Sequence, residues 1–97
     1  MAYQDMLNQD QRLVILRSLG DVNGTANDSI LNKMLDAYGH KISRHQVKAH
    51  LYWLEEVGLV ALESVLETDV ATITALGVDV SEGRARVPGV GVPRLGA

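Results

Sequence analysis

The sequence predicts an α+β domain, mostly α, built as three helices, a two-stranded β-hairpin and a short C-terminal helix, with an extended tail behind it. Three observations carry that expectation. Two segments, one from Asn27 or Asp28 to Tyr38 and one from Arg44 to Val57, repeat apolar residues at helical period and stop at a glycine. After Gly58, "LVALESVL" and "DVATIT" are rich in β-branched and aliphatic residues. The final "ARVPGVGVPRLGA" holds two prolines and three glycines with no helical period.

Taken in order, the first helix is expected from about Asn8, because Asn8 and Gln11 have capping-box spacing and "RLVILRSL" follows with Leu13, Val14 and Leu16. Gly20 ends it. Residues Tyr3 to Leu7 add a preceding turn whose apolar side is Tyr3, Met6 and Leu7. "DVNGTAND" is turn chemistry. The second helix carries one stripe, Ile30, Leu31, Met34, Leu35 and Tyr38, and Gly39 stops it. Ser43 and Gln46 repeat the capping-box spacing, so a third helix runs from about Arg44 and buries Val47, Leu51, Leu54 and one edge of Trp53. Only about four residues separate helices two and three, which forces them to cross sharply. The two strands are separated by Glu67 and Thr68, and Thr74 caps a short helix that ends at Gly83. Residues 1–84 are thus one domain and residues 85–97 a tail.

Ninety-seven residues suffice for one small core. With 46% hydrophobic residues but no Phe and one Trp, that core is aliphatic. No apolar run approaches bilayer length and "MAYQDMLNQDQR" lacks a signal-peptide pattern, so the expected location is the cytoplasm, without membrane contact. The absence of cysteine removes disulfides, thiolate metal sites and cysteine nucleophiles.

The net charge of −3 argues against nucleic acid on average. The distribution argues the other way. Lys41, Arg44 and Lys48 fall in a stretch with no acid, joined by His40, His45 and His50. With Val47, Leu51 and Leu54 inward, the outward residues of helix three are Arg44, His45, Lys48, Ala49 and Tyr52. Lys41, Arg44, His45, Lys48 and Tyr52 are therefore the candidate contacts to double-stranded DNA, reaching base edges and phosphates from a helix in the major groove. The plainer alternative is a solvated basic face.

The hairpin carries Glu63, Glu67 and Asp69 and no cation, which sets carboxylates against phosphates if it lies over a groove. Its Val65, Leu66 and Val70, the N-terminal Tyr3, Met6 and Leu7, and the tail's Val87, Val90 and Val92 exceed what the helical core can cover. They are candidate contacts to a second subunit or another partner. Arg84, Arg86 and Arg94 make the tail mildly basic.

No metal site, cofactor or catalytic residue is expected. His40, His45 and His50 are five apart, which rotates successive side chains by about 140° on a helix and prevents convergence. Ser43 is explained by capping, and nothing supplies an oxyanion hole beside His45. The glycines of "GVDVSEGRARVPGVG" lack the strand and helix context of a phosphate loop. No enzyme is read here.

In element order the chain resembles a winged helix-turn-helix domain over roughly residues 8 to 83. "YWLEEVGLVAL" looks like the end of a recognition helix leading into the wing, and "ATITALG" like the return strand and the opening of a closing helix. More narrowly, "LNQDQRLVILRSL", "NDSILNKMLDAYGHKISRHQVKAHLYWLEEVGLV" and "ITALGVDVSEGRARVPGV" are similar to a family of small proteins of Mu-like phages and prophages, some labelled winged-helix or ArsR-like regulators. The resemblance implies phage DNA, host transcription machinery or other phage proteins as partners. The ArsR label brings no metal with it, since the cysteine-based sensing motif is absent. The expectation is a homodimeric phage or prophage DNA-binding protein in the bacterial host, a regulator of transcription or an accessory of packaging. The alternative is a protein-interaction module of the same fold, in phage assembly or host takeover, without DNA binding.

Overall fold

The computed structural model describes residues 3–93. Its elements are α1 (Tyr3–Asp21), β1 (Thr25–Asn27), α2 (Asp28–Ala37), α3 (Arg44–Glu56), β2 (Val60–Val65), β3 (Thr68–Ile73) and α4 (Ala75–Ser81). It is a mostly helical α+β domain with four helices and a three-stranded antiparallel sheet of order β1-β3-β2.

α1 is one continuous helix that starts at Tyr3, so Asn8 does not cap it. Asn8 is an interior residue, its Oδ1 accepting a hydrogen bond from Gln4 Nε2 at 3.0 Å. An Asn three residues before a Gln reads alike at a cap and inside a helix, and here the helix begins five residues before it.

The loop expected at "DVNGTAND" contains β1, whose Thr25, Ala26 and Asn27 pair with Thr72, Ala71 and Val70 of β3. The sheet therefore has one strand more than the expected hairpin. Asn27 ends that strand and caps α2, its Oδ1 accepting from Ile30 N at 2.8 Å. Of the α2 stripe, Leu31 and Leu35 are fully buried, while Ile30 and Tyr38 lie largely in solvent.

α3 follows its expected pattern closely. Ser43 and Gln46 form a complete capping box, and Val47, Leu51 and Leu54 are fully buried. After Gly58 the chain enters β2, paired with β3 from Val60↔Ile73 to Val65↔Thr68. That register leaves Leu66 and Glu67 as a two-residue connection, one residue ahead of the expected break. Leu66 takes a positive φ of 59° and is 97% exposed. Thr74 caps α4 by accepting from Gly77 N. Gly77 is required there, since a Cβ would stand 2.2 Å from the Leu59 carbonyl oxygen.

The tail is not free. Residues 85 to 93 fold back across the same chain. Val90 is 6% exposed within the core, Val87 packs against it, and Gly91 N donates to Gln9 O of α1 at 3.0 Å. Val90 is thus buried within its own chain and Val87 half-buried against the same core, where the sequence alone leaves both as spare apolar surface. Gly89 lets the backbone pass close to the indole, because a Cβ there would meet Trp53 at 2.6 Å. Arg94, read above as part of a basic tail, lies outside the described residues.

Candidate nucleic-acid interface

The expected contact residues share one region, but their charges are already engaged. Asp28, in the first turn of α2, has its carboxylate fully buried against the start of α3. Arg44 Nε donates to its Oδ1 at 3.0 Å, with Nη2 at 2.9 Å. Lys48 Nζ lies 2.7 Å from Oδ2, and the backbone N of Asp69 donates to the same oxygen at 3.0 Å. One carboxylate therefore joins α2, α3 and β3.

Lys48 is shared further. It reaches Asp69 Oδ2 at 3.1 Å and the Glu67 carbonyl at 3.0 Å, so it anchors the hairpin to α3. Ser64 donates to the other Asp69 oxygen at 2.8 Å. Burial alone pushes the Asp28 carboxyl up, but hydrogen bonds from Lys48, the Asp69 amide and Arg44 outweigh it and hold it below the usual range. The Ser64 hydroxyl, with Lys48 and Tyr52, likewise holds Asp69 low against its burial. Lys48 is raised, first by its hydrogen bond to Asp28. All three are held in their charged forms.

Two expectations are corrected by this network. Arg44 and Lys48 do not stand free on an outward face: Lys48 retains 25% and Arg44 49% of side-chain exposure, both turned onto acids of their own chain. Asp69 is not a repelling carboxylate on the hairpin surface, being buried and paired. Glu63 and Glu67 remain exposed. The missed partner is Asp28, 16 residues from Arg44 and 41 from Asp69, whose only local signal was its place beside a helix cap.

Of the other candidate contacts, Lys41 pairs with Asp36 at 3.0 Å in solvent, His45 is exposed, and the Tyr52 hydroxyl is raised by its hydrogen bond to Asp69. Among the expected partner contacts, Tyr3, Met6, Val65, Leu66 and Val92 are exposed. Leu7 and Val70 are half-buried.

A second cluster occupies the opposite flank of α3. The Arg12 guanidinium of α1 lies over the Trp53 ring, 4.0 Å from its centre. Its Nε donates to His50 Nδ1 at 3.2 Å and its Nη1 to the Gly89 carbonyl at 3.0 Å. His50 Nε2 is 2.8 Å from Gln11 Oε1, so with Nδ1 accepting, Nε2 carries the proton and donates. Burial, with the nearby charges of Arg12 and His40, pushes the imidazole down to about 4. His40 itself bonds to Asp10 at 2.6 Å. The three histidines thus have separate environments.

Comparison with known proteins adds a source. No family model matches the chain. It is 54% identical over 90 residues to an uncharacterized protein, gp26, of Escherichia phage Mu, covering 93% of this chain and 94% of that one. The chain belongs to the phage Mu gp26 family. A further relative in Haemophilus influenzae, also an uncharacterized protein, is 52% identical over 63 residues, 65% of this chain. The match spans 62% of that relative's length. Among the described residues, no helix is long and apolar enough to cross a membrane.

Proposed function

We propose that this gp26-family protein is a winged helix-turn-helix protein that docks α3 on duplex DNA, as a phage regulator or packaging accessory. The observation that carries the reading is the placement of α3. A connection of six residues, 38 to 43, sets it against α2, and the β2–β3 hairpin packs beside it, anchored through Lys48. That leaves Arg44, His45, Ala49 and Tyr52 exposed along one side. Because Arg44 and Lys48 serve the Asp28 network, the electrostatic part of binding is small. A log-log salt slope of about −2 to −4 is expected, shallower than for strongly basic repressors.

The test is a salt-dependent gel shift with fragments of the cognate phage genome, using His45→Glu. This change places a carboxylate on the exposed side of α3 without touching Asp28. Affinity should fall at least about tenfold with the melting temperature unchanged. Absence of any shifted fragment at low salt, or equal binding by the variant, removes α3 from a DNA interface.

One observation favours a second reading, a protein-interaction module. The wing tip offers Leu66 and Val65 to solvent between Glu63 and Glu67, a surface that suits an apolar, basic-rimmed protein pocket better than phosphates. Leu66→Asp discriminates between the readings: it should abolish a protein contact, and should weaken DNA binding no more than one added charge does.

A further inference from the structure

We propose that the groove between α1 and α3 is an oxyanion-binding site that takes a phosphate or carboxylate group onto Arg12. It adjoins the α3 face discussed above at Ala49 but does not depend on that face reading DNA.

The groove has a volume of about 280 Å³ and is lined by Asn8, Arg12, Gln46, Ala49, His50 and Trp53. That is the lower end of the range for small-molecule sites, suited to one compact anionic group rather than a large apolar ligand. Its lining contains one cation and no carboxylate. Arg12 donates hydrogen bonds only to neutral acceptors, His50 Nδ1 and the Gly89 carbonyl, while the charge of Asp5 acts on it through space, and no hydrogen bond is made by its Nη2 among the described residues. Stacking on Trp53 and these two bonds fix the guanidinium plane in advance, which is what bidentate recognition of an oxyanion requires.

The neighbouring amides are arranged in the same sense. Asn8 Oδ1 is occupied by Gln4, and Gln46 Oε1 by the Ser43 amide of the capping box at 3.0 Å. Each amide therefore keeps its NH₂ group unspent, and the Asn8 and Gln46 nitrogens make no hydrogen bond among the described residues. The His50 ring nitrogens are both used, by Arg12 and Gln11. The groove is thus a set of unfilled donors with no competing acceptor, a chemistry satisfied by phosphate or carboxylate oxygens. Burial lowers Arg12, and the charge of Asp5 opposes this more weakly, so the guanidinium is partly removed from water with its charge only partly compensated.

Trp53 is the sole tryptophan, so its fluorescence reports on the groove directly. The full chain is titrated at constant ionic strength with inorganic phosphate, with citrate and with a short DNA duplex, chloride serving as the control. The key variant is Asn8→Asp, which places an acid one helical turn before Arg12 and supplies the anion in cis without disturbing the core. A saturable Trp53 change with phosphate or citrate, absent with chloride, is expected, and Asn8→Asp should raise the half-saturation about tenfold or more at an unchanged melting temperature. Competition between duplex and phosphate, with duplex binding also weakened by Asn8→Asp, identifies the ligand group as the DNA backbone. Duplex binding insensitive to Asn8→Asp, or no duplex binding at all, identifies a free small anion and leaves the site intact. The proposal is overturned if none of the three probes changes Trp53 fluorescence, or if the response is the same in Asn8→Asp.

Discussion

The two flanks of α3 treat positive charge in opposite ways. On the hairpin side, Arg44 and Lys48 are matched by Asp28 and Asp69, so the cations hold helices and hairpin together. On the α1 side, Arg12 bonds an imidazole nitrogen and a carbonyl and stacks on an indole face, with Asp5 acting on it only through space. The side richer in basic residues therefore has its cations tied into ion pairs, while the single arginine opposite hydrogen-bonds neutral groups alone. What an outside partner meets is decided by the acids that folding brings to the cations, and a count of cations along the sequence does not contain that.

The largest expected effect tests the hairpin side. Asp28→Ala strands two cations beside a buried site and frees the Asp69 amide, and should cost about 3–5 kcal/mol in urea unfolding. Arg12→Met, which keeps the stem against Trp53, should cost only about 1–2 kcal/mol, the scale of its two hydrogen bonds. Equal losses for the two variants would erase the distinction between a structural and an available cation.

The next effect is read by pH. His50 titrates near 4 in the folded chain, below its ordinary value of 6.5. Above pH 6.5 both states are neutral and stability is level. Between 6.5 and 4 the unfolded chain gains a proton that the folded one refuses, so stability falls as the pH drops, by up to about 3 kcal/mol. Asp28 and Asp69 are depressed instead, and their contribution is lost only at pH values below the ordinary carboxylate range. His50→Gln should flatten the upper window and leave the acid limb in place, which separates the two flanks in one denaturation series.

The smallest pair sharpens the comparison within single hydroxyls. Ser43→Ala removes the α3 cap and should lower stability by about 1 kcal/mol. Ser18 is buried in α1 with no partner for its Oγ among the described residues, so Ser18→Ala should be neutral or raise stability by up to about 1 kcal/mol. The same substitution then has opposite signs, read as melting-temperature shifts.

Much of this architecture was legible along the chain. The Ser43–Gln46 box, the buried trio Val47, Leu51 and Leu54, and the Thr74 cap are local signals, and local geometry honours them. β1 was not legible, because three residues are too few for an alternating pattern and its identity comes from pairing with Thr72 and Ala71, far along the chain. The tail valines carry no period, so their destination depends on α1 and Trp53 being already in place. For the candidate site, the sequence located α3 and its outward residues. It could not reveal that Asp28 would claim Arg44 and Lys48, since that contact exists only once α2, α3 and β3 meet.

Leu66 makes two demands on the protein that pull apart. At a φ of 59° the backbone there suits glycine or asparagine, and the leucine side chain gains almost nothing in return because it touches almost nothing of its own chain. Leu66→Gly should therefore survive heating as well as or better than the parent. A selection for thermal endurance alone would enrich that change, and a selection for the protein's natural task would deplete it if the hairpin tip touches a partner. Running both selections on one library asks, without knowing the partner, whether the hairpin tip is used.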